Sequence, residues 1–564
     1  MAHIRLGQLL VSAGVLNEQQ LQDALDIQKK TKKRLGDILI ENQIITGDEL
    51  IDALQMQLGI DFIDLTAITV PVELAKFVPR NIAKRHCIVP VKLIDDTLYI
   101  AMSDPLDFIA QEEVKAVSHK KVVPMIAAKK ATEQVIEKLY GSEGTARAIE
   151  DMKREMGSAE GDIIPAQLKQ RGEESVNAAP AIRFVNSIIE RAFVEEASDI
   201  HLEPQKDEMI VRMRIDGLLH KILTVPSNLQ NTVISRLKVM GGMNISEHQI
   251  PQDGHAMITV KGHSIDLRMS SMPTVYGEKV VLRLLDKSSK QITRQSIGLN
   301  SEEERKYEAL LKNSNGVILL VGPTGSGKST TLCAMMTELA KEEVNIVTLE
   351  DPVEYDIDGV NQCQINEKTG MTFANGLTAI LRQDPDIIGV GEIRDAKTAQ
   401  IAMRAAITGH LVLSTLHTND AVSAIDRLED IGIEPYLVSG ALKGVISQRL
   451  VRKICPHCRR EYLPNAEELR LLGMEENADA KFYIGEGCPE CHHSGYHGRQ
   501  AVFEILTITK EMRQMIAKGA TAEDIMKLAE KTDFVTMKES CRKLVSAGIT
   551  SIEEAMKAIN STLE

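Results

Sequence analysis

Long apolar runs are missing from this chain. The longest candidates, such as Gly316 to Gly322 (GVILLVG), are strand-sized, against the 18 or more residues a membrane-spanning helix requires. The first residues, MAHIRLGQLL, lack a long apolar stretch followed by a small-residue cleavage site. No secretory signal is evident, and the expected location is the cytoplasm. Strongly basic blocks are missing too. Lys and Arg number 66 against 80 Asp and Glu, a net charge of −14, and without clustered cations a general grip on nucleic-acid phosphate is not expected. Cysteine is scarce, eight in 564 residues. Cys87, Cys333, Cys363 and Cys541 are scattered, while Cys455/Cys458 and Cys488/Cys491 form two CxxC pairs. In a reducing compartment that pattern reads as metal binding rather than a disulfide framework.

What is present is the composition of a multidomain globular protein, 43% hydrophobic and 26% charged, long enough for about three to five domains. Residues 5–28 (RLGQLLVSAGVLNEQQLQDALDIQ) return as 34–57 (RLGDILIENQIITGDELIDALQMQ), a period of 29. Leu9/Leu10 recur as Ile38/Leu39, and Leu21, Leu25 and Gln28 recur as Leu50, Leu54 and Gln57. Leucines at i and i+4 give each copy a helix with one apolar stripe, and Asn17 and Thr46 are suited to cap it. The repeat occupies residues 1–60. A small α+β domain over 61–140 follows, then a Gly- and charge-rich linker over 141–178. A second α+β domain spans 179–292. Over 293–564 strands alternate with helices, the pattern of a parallel sheet, with an insertion at about 452–500 and a helical part at 507–564.

Residues 322 to 329 read GPTGSGKS, between an apolar strand (VILLV) and a helical stretch (STTLCAMMTELAKE). That is a phosphate-binding loop in its required context. Gly322, Gly325 and Gly327 let backbone N–H groups turn inward, with Pro323, Thr324, Ser326 and Thr330 completing the loop and helix start. Lys328 reaches the β and γ phosphates, and Ser329 offers a hydroxyl to Mg²⁺. Two further strand-like runs end in acids: NIVTLEDPVEY with Glu350, Asp351 and Glu354, and DPDIIGVGEIRD with Glu392 and Asp395. One carboxylate of such a set holds the Mg²⁺ shell and another orients the attacking water. The alternative is that these acids cap helices and form turns. A third run, HLVLSTLHTND, begins at His410 and ends at His417, which is placed to sense the γ-phosphate.

GPTGSGKSTTL, LEDPVEY, LRQDPDIIGVGEIRD and TGHLVLSTLHTNDA together resemble the Walker A, Asp, Walker B and His boxes of the secretion ATPases that drive type IV pilus assembly and type II secretion. ASDIHLEP, VRMRIDG, PQDGH and MPTVYGEKVVLRLLD resemble the domain that precedes the motor in that family. The resemblance covers about residues 179–506. It implies a RecA-like P-loop ATPase core preceded by a PAS-like α+β domain, ATP and Mg²⁺ as ligands, and a homohexameric ring. It also implies an inner-membrane platform protein as partner, with the membrane met only through that partner. Glu354 becomes the catalytic glutamate, Glu392 the Walker B acid, and His410 and His417 the His-box pair. Gly389 stands where the family often has a bulkier aliphatic, which is expected to loosen packing. Arg212, Arg214, Arg268 and Arg283 lie on strands, the first two on one face. The resemblance brings them to the nucleotide, while a solvated sheet face is the alternative.

CPHC and CPEC supply four thiolates, the set that closes a structural Zn²⁺ site, and redox chemistry is the alternative. The family often carries such a tetracysteine insertion. The 29 residues between the pairs predict a helix over AEELRLLG, looped out from the metal. The N-terminal repeat resembles the cyclic di-GMP binding domain of some of these ATPases. That implies a nucleotide site from Arg5, Leu6, Gly7, Leu10, Gly14, Gln28, Arg34, Leu35, Gly36, Leu39 and Gln57, with the glycines permitting close approach and the arginines pairing with phosphate or stacking on guanine. In the second copy Gln43 replaces Gly14. A pure docking module is the alternative. Pilus extension is the leading reading of the whole chain. A type II secretion motor, a retraction motor, a nucleic-acid translocase and a non-enzymatic nucleotide-binding scaffold are its competitors.

Overall fold

Two kinds of apolar patterning become two kinds of sheet. The computed structural model describes the chain except residues 1–9, 12–14, 32–34, 36–37, 40–41, 43, 46–59, 66–67, 69, 106, 158–178, 287–291, 475–480 and 564. The chain divides into two compact units. The body of one is Met1–Gly262 with Asp266–Leu284, and that of the other is Leu285–Gly487 with Cys491–Glu564.

In the first unit, the described parts of the repeat keep one local geometry. The amides of Val15 and Leu16 donate to the Leu10 carbonyl, and their counterparts Ile44 and Ile45 donate to that of Leu39. Leu10, Leu16, Leu39 and Ile45 share one small buried cluster with Ala24 and Ile38. Asn17 caps the helix Glu18–Thr31, its Oδ1 accepting from the Gln20 amide at 2.8 Å. Thr46, the other expected cap, lies outside the described residues.

A three-stranded sheet follows, with β1 (Ile88–Ile94) antiparallel and β3 (Lys121–Ile126) parallel to β2 (Thr97–Met102). Its core includes Val89, Ile100, Val114 and Ile136. The segment read as a linker is partly helix. Lys129–Gly157 is one helix, so residues 141–157 are not loop, and 158–178 lie outside the described residues. Gly141 and Gly144 each cost a helix about 1 kcal/mol, but tertiary partners outweigh that. Thr145 Oγ1 donates to Ser187 Oγ at 2.9 Å, and Arg183 pairs with Asp151 at 2.9 Å, joining this helix to Ala179–Val194.

β4 (Asp199–Pro204), β5 (Glu208–Ile215), β6 (Leu218–Pro226), β7 (Gln252–Val260), β8 (His263–Thr274) and β9 (Gly277–Asp286) form a six-stranded sheet in the order β6-β5-β4-β9-β8-β7. β5 alternates strictly, burying Met209, Val211, Met213 and Ile215, and packs against the helix Ser227–Met240. Arg212 and Arg214 share the other face. There Arg212 grips Glu203 with Nε and NH2 at 2.7 and 2.9 Å, and Lys279 adds an ion pair at 2.8 Å. Burial pushes the Glu203 pKa up, but the hydrogen bonds from Arg212 and Lys279 outweigh it and hold the carboxyl at about 2.

The second unit is built on β10 (Gly316–Val321), β11 (Ile346–Glu350), β12 (Val360–Gln364), β13 (Ile387–Val390), β14 (Leu411–Leu416) and β15 (Leu442–Ile454). A separate pair, β16 (Arg459–Tyr462) and β17 (Phe482–Gly485), precedes β18 (Tyr496–Thr507). The sheet order is β12-β11-β13-β14-β10-β15-β18, parallel throughout except β18. β10, β13 and β14 are buried at every position, as expected of parallel strands covered on both faces. Gly389 does not loosen this core. A Cβ there meets Thr348 Cγ2 at 2.7 Å and Met336 Sδ at 3.0 Å, so glycine lets the helix Lys328–Leu339 seat closely on β13.

Two outcomes follow. Gly389→Val overfills the sheet and lowers stability by about 1–3 kcal/mol, visible as an earlier calorimetric transition; an unchanged transition contradicts the packing. A carboxylate held low contributes stability above its unfolded pKa and loses it as pH falls through the folded value. The unfolding-midpoint gap between wild type and Arg212→Ala therefore opens at pH 7 and narrows below about pH 4.5. A gap constant from pH 7 to pH 3 contradicts the pairing.

Candidate nucleotide site and metal centre

β10 ends at Val321, and the chain turns through Gly322 to Gly327 into the helix Lys328–Leu339. Gly322 has φ of +144° and Gly327 of +88°, values that side-chain-bearing residues adopt only under strain. Space is as restrictive as torsion. A Cβ on Gly322 stands 2.5 Å from the Gln448 carbonyl, and one on Gly327 stands 2.8 Å from Gln448 Nε2. Gln448 lies on β15, and its Oε1 accepts from Thr331 Oγ1 at 2.7 Å, tying the adjacent strand to the first turn of the helix. Pro323, Thr324 and Gly325 are exposed at the tip, as is Ser329, and Thr330 is half-buried. Ser326 Oγ is buried with no hydrogen-bond partner. An orphaned hydroxyl among inward-turning amides at a helix N-terminus fits a bound phosphate.

Lys328 is the charged group of the loop. Its Nζ donates to the carbonyls of Gly322 and Pro323 at 2.7 and 2.9 Å. Burial, with the nearby positive charge of Arg449, holds its pKa down to about 8, while Glu392 acts in the opposite direction. Glu392 follows β13, and Arg394 donates to it. His417 Nε2 approaches the second Glu392 oxygen at 3.6 Å, and Arg394 reaches Asp351 at 3.9 Å. Parallel register explains the convergence. Val390 lies opposite Ser414, so the segments leaving β13 and β14 emerge side by side, and Thr415 Oγ1 locks them by donating to the Gly391 carbonyl at 2.7 Å. Glu354 is half-buried in the segment after β11. Its neighbour Tyr355 lies beside the Thr330 side chain, which brings that segment to the phosphate-loop helix. Glu350 instead accepts from Thr348 and Gln362 at 2.6 and 2.9 Å, a structural role.

His410 is not brought to this edge. It precedes β14, accepts the Gly316 amide on its carbonyl at 3.1 Å, and sets its Nδ1 2.9 Å from the Ala405 carbonyl. At about 3.3 Å per strand residue, the six residues of β14 put it roughly 20 Å from His417, at the opposite end of the sheet. In the other unit, Arg214 NH1 donates to the Gly217 carbonyl at 2.7 Å, and Arg283 reaches Asp199 at 3.1 Å. Arg268 is half-buried on β8, and His255 is paired with Asp266. In the repeat, Leu10 and Leu39 are fully buried core, and Leu35 packs against that core. Gln28 is half-buried on its helix. Arg5, Leu6, Gly7, Gly14, Arg34, Gly36 and Gln57 lie outside the described residues.

Sequence reasoning missed Gln448 and Arg449. The signal was there: QR interrupts the apolar strand GVISQRLVRKI, and polar residues in a buried strand require buried partners.

Cys455, Cys458, Cys488 and Cys491 bring their sulfurs within 4.8 Å of one another. The long spacing between pairs is absorbed by β16 and β17, which pair and return the chain, and by the helix Ala466–Leu472 with its Asn465 cap. The Cys458 and Cys491 sulfurs are 3.9 Å apart, close to the edge of about 3.8 Å in a tetrahedron with metal–sulfur arms of ~2.3 Å. The Gly487 and Gly495 amides donate to these two sulfurs at 3.3 Å each. Amide donors aimed at sulfur favour thiolate ligands, so the residues fit Zn²⁺.

These features define a phosphate-loop motor core carrying a tetracysteine module. The family model described as "Type II/IV secretion system protein" matches residues 174–557, and the chain belongs to that family. It is an ATP hydrolase. A model described as "MshEN domain" matches residues 58–146, which take in the small α+β domain that follows the repeats. The chain is 38% identical over 590 residues to the type IV pilus assembly ATPase PilB of Thermus thermophilus, covering 98% of this chain but only 65% of that protein's length. It is 37% identical over 561 residues to the protein of the same name from Myxococcus xanthus, covering 98% of each. The type II secretion system ATPase E of Vibrio cholerae is 44% identical over 384 residues, 68% of this chain and 76% of that one. No helix among the described residues is long and apolar enough to cross a membrane.

Protein purified without chelators carries about one zinc per chain by elemental analysis, and Cys488→Ser lowers that content while destabilising the C-terminal helices. Wild type with no zinc contradicts the assignment.

Proposed function

We propose that this chain is the ATP-driven extension motor of a type IV pilus machine, a homohexameric ring at the cytoplasmic side of the inner membrane acting on a platform protein. The observation that supports pilus assembly is the extent of similarity. It runs through 98% of both chains in the Myxococcus PilB, N-terminal region included, whereas similarity covers 68% of this chain for the Vibrio secretion ATPase and 87% for the type II secretion system protein E of Pseudomonas aeruginosa. The higher identity in that shorter stretch supports a second reading, a type II secretion motor built on the same core.

In the proposed cycle, backbone amides from Gly322 to Gly327 and the Lys328 amine hold the phosphates. Mg²⁺, when bound, neutralises charge on the phosphate oxygens. Ser329 and Glu392 are suited to hold its shell. Glu354 aligns the attacking water and takes its proton. His417, beside Glu392, hydrogen-bonds the γ-phosphate and reports its loss. His410 is set aside. Arg214, Arg268 and Arg283 remain proposed phosphate contacts from the preceding domain, while the forked pairing of Arg212 with Glu203 weighs against its leaving that partner. Cycles of nucleotide binding, hydrolysis and release would deliver the mechanical step. The repeat, with the MshEN segment, is the proposed cyclic di-GMP site, supported by the twofold RLG motif.

Glu354→Gln lowers ATP turnover about 10²- to 10⁴-fold while Mg·ATP still binds in calorimetry; near-normal turnover would overturn the catalytic role given to Glu354. In bacteria lacking a pilus assembly ATPase, the wild-type chain restores surface pili and Glu354→Gln does not. Restored type II secretion in a strain lacking ATPase E, without restored pili, favours the second reading.

A further inference from the structure

Arg449 is a buried charge that the phosphate-loop reading leaves unused. It follows Gln448 on β15 and is 3% exposed. β10 and β15 run parallel with Val321 opposite Ser447, so residues 448 and 449 continue alongside the loop that β10 feeds. Arg449 NH2 donates to the Asn419 carbonyl at 2.6 Å, and NH1 donates to the Gln448 carbonyl at 3.2 Å. The same NH1 stands 3.0 Å from where a side chain on Gly322 would begin. Asn419 is two residues beyond His417. One guanidinium therefore abuts the first residue of the phosphate loop and anchors the segment that carries His417.

The charged groups around it come from several elements. Glu504 on β18, Asp420 after β14 and Cys541 on the helix Met537–Ser546 act on Arg449, and Lys328 stands across the loop. Glu504 is 3% exposed and bridges two segments. Its Oε1 accepts from the Ala421 amide and its Oε2 from the Met537 amide, each at 2.8 Å. Residues 417–421 are thus held by Arg449 at one point and by Glu504 at another. Filling space does not explain this arrangement, because an apolar side chain of similar volume would fill it without the cost of burying a charged group.

We propose that Arg449 is a positioning residue for ATP hydrolysis. It fixes the His417–Asn419 segment against the phosphate loop, so that the His417 imidazole and the Lys328 amine address the same phosphate. This rests on the ATP-site reading above. Arg449 does not touch substrate; it acts through the segment that carries His417.

The test is steady-state ATP hydrolysis by the full chain over a range of ATP concentrations, for wild type, Arg449→Gln, Arg449→Lys, His417→Ala and the Arg449→Gln, His417→Ala double variant. Misplacing a catalytic group by about 1 Å costs on the order of 10²-fold, so Arg449→Gln lowers kcat by about 10- to 100-fold, with KM for ATP changed less than about threefold. Arg449→Lys keeps the charge but still loses kcat, because an ammonium cannot span two carbonyls with a planar fork. The double variant stays within about twofold of His417→Ala, since residues acting through one group do not add. Turnover within twofold of wild type in both Arg449 variants overturns the proposal, as does a full multiplicative loss in the His417→Ala background. If Arg449→Gln does not fold, Arg449→Lys alone decides, through a kcat lowered with KM for ATP little changed and through its own cycle with His417→Ala. Wild type that binds ATP without hydrolysing it would instead sink the underlying reading.

Discussion

The nucleotide site depends on how closely β15 lies against the turn that leaves β10. At Gly322 and Gly327 any side chain would collide with Gln448, and both backbones hold positive φ. Glycine is what lets the turn close, and closure is what lets Thr331 bond Gln448 across the gap. The helix Lys328–Leu339 then starts where its free amides and dipole face the loop interior. Chemistry and packing here are one constraint, because the contact that aligns the phosphate cradle also seats the helix on the sheet.

Parallel strands carry that constraint outward. Because β11, β13, β14 and β10 all run the same way, whatever follows each strand emerges at one edge. Glu354, Glu392, His417 and Lys328 come from four separate stretches of sequence and need no other device to meet there. The same rule removes His410, which opens its strand instead of closing it. Behind the edge, buried Arg449 and Glu504 tie the His417 segment to β15, β18 and the C-terminal helices. Arg452, bidentate to Glu554 and stacked on Tyr496, ties the end of β15 to the last helix beside the tetracysteine module.

Much of this was legible in the sequence. A glycine-rich turn between a fully apolar strand and a helix has one common structural solution, and paired CxxC motifs have another. Alternation in MIVRMRID gave both the strand and the shared face of Arg212 and Arg214. What escaped reading was set by partners distant in sequence. Residues 141–157 looked like linker because their glycines and charges say nothing of Ser187 and Arg183, which hold the helix from over thirty residues away. Gly389 suggested loose packing until Thr348 and Met336 were placed against it. Gln448 and Arg449 were hidden because their roles exist only beside the phosphate loop, more than a hundred residues earlier.

The most direct measurement is calorimetric titration of Mg·ATP into the full chain carrying Gly327→Ala, alongside wild type. A strained φ together with a clash against Gln448 costs on the order of 1–3 kcal/mol, so the variant, still folded by circular dichroism, should bind about 5- to 150-fold more weakly. Binding within twofold of wild type would contradict the claim that close approach of β15 builds the nucleotide site.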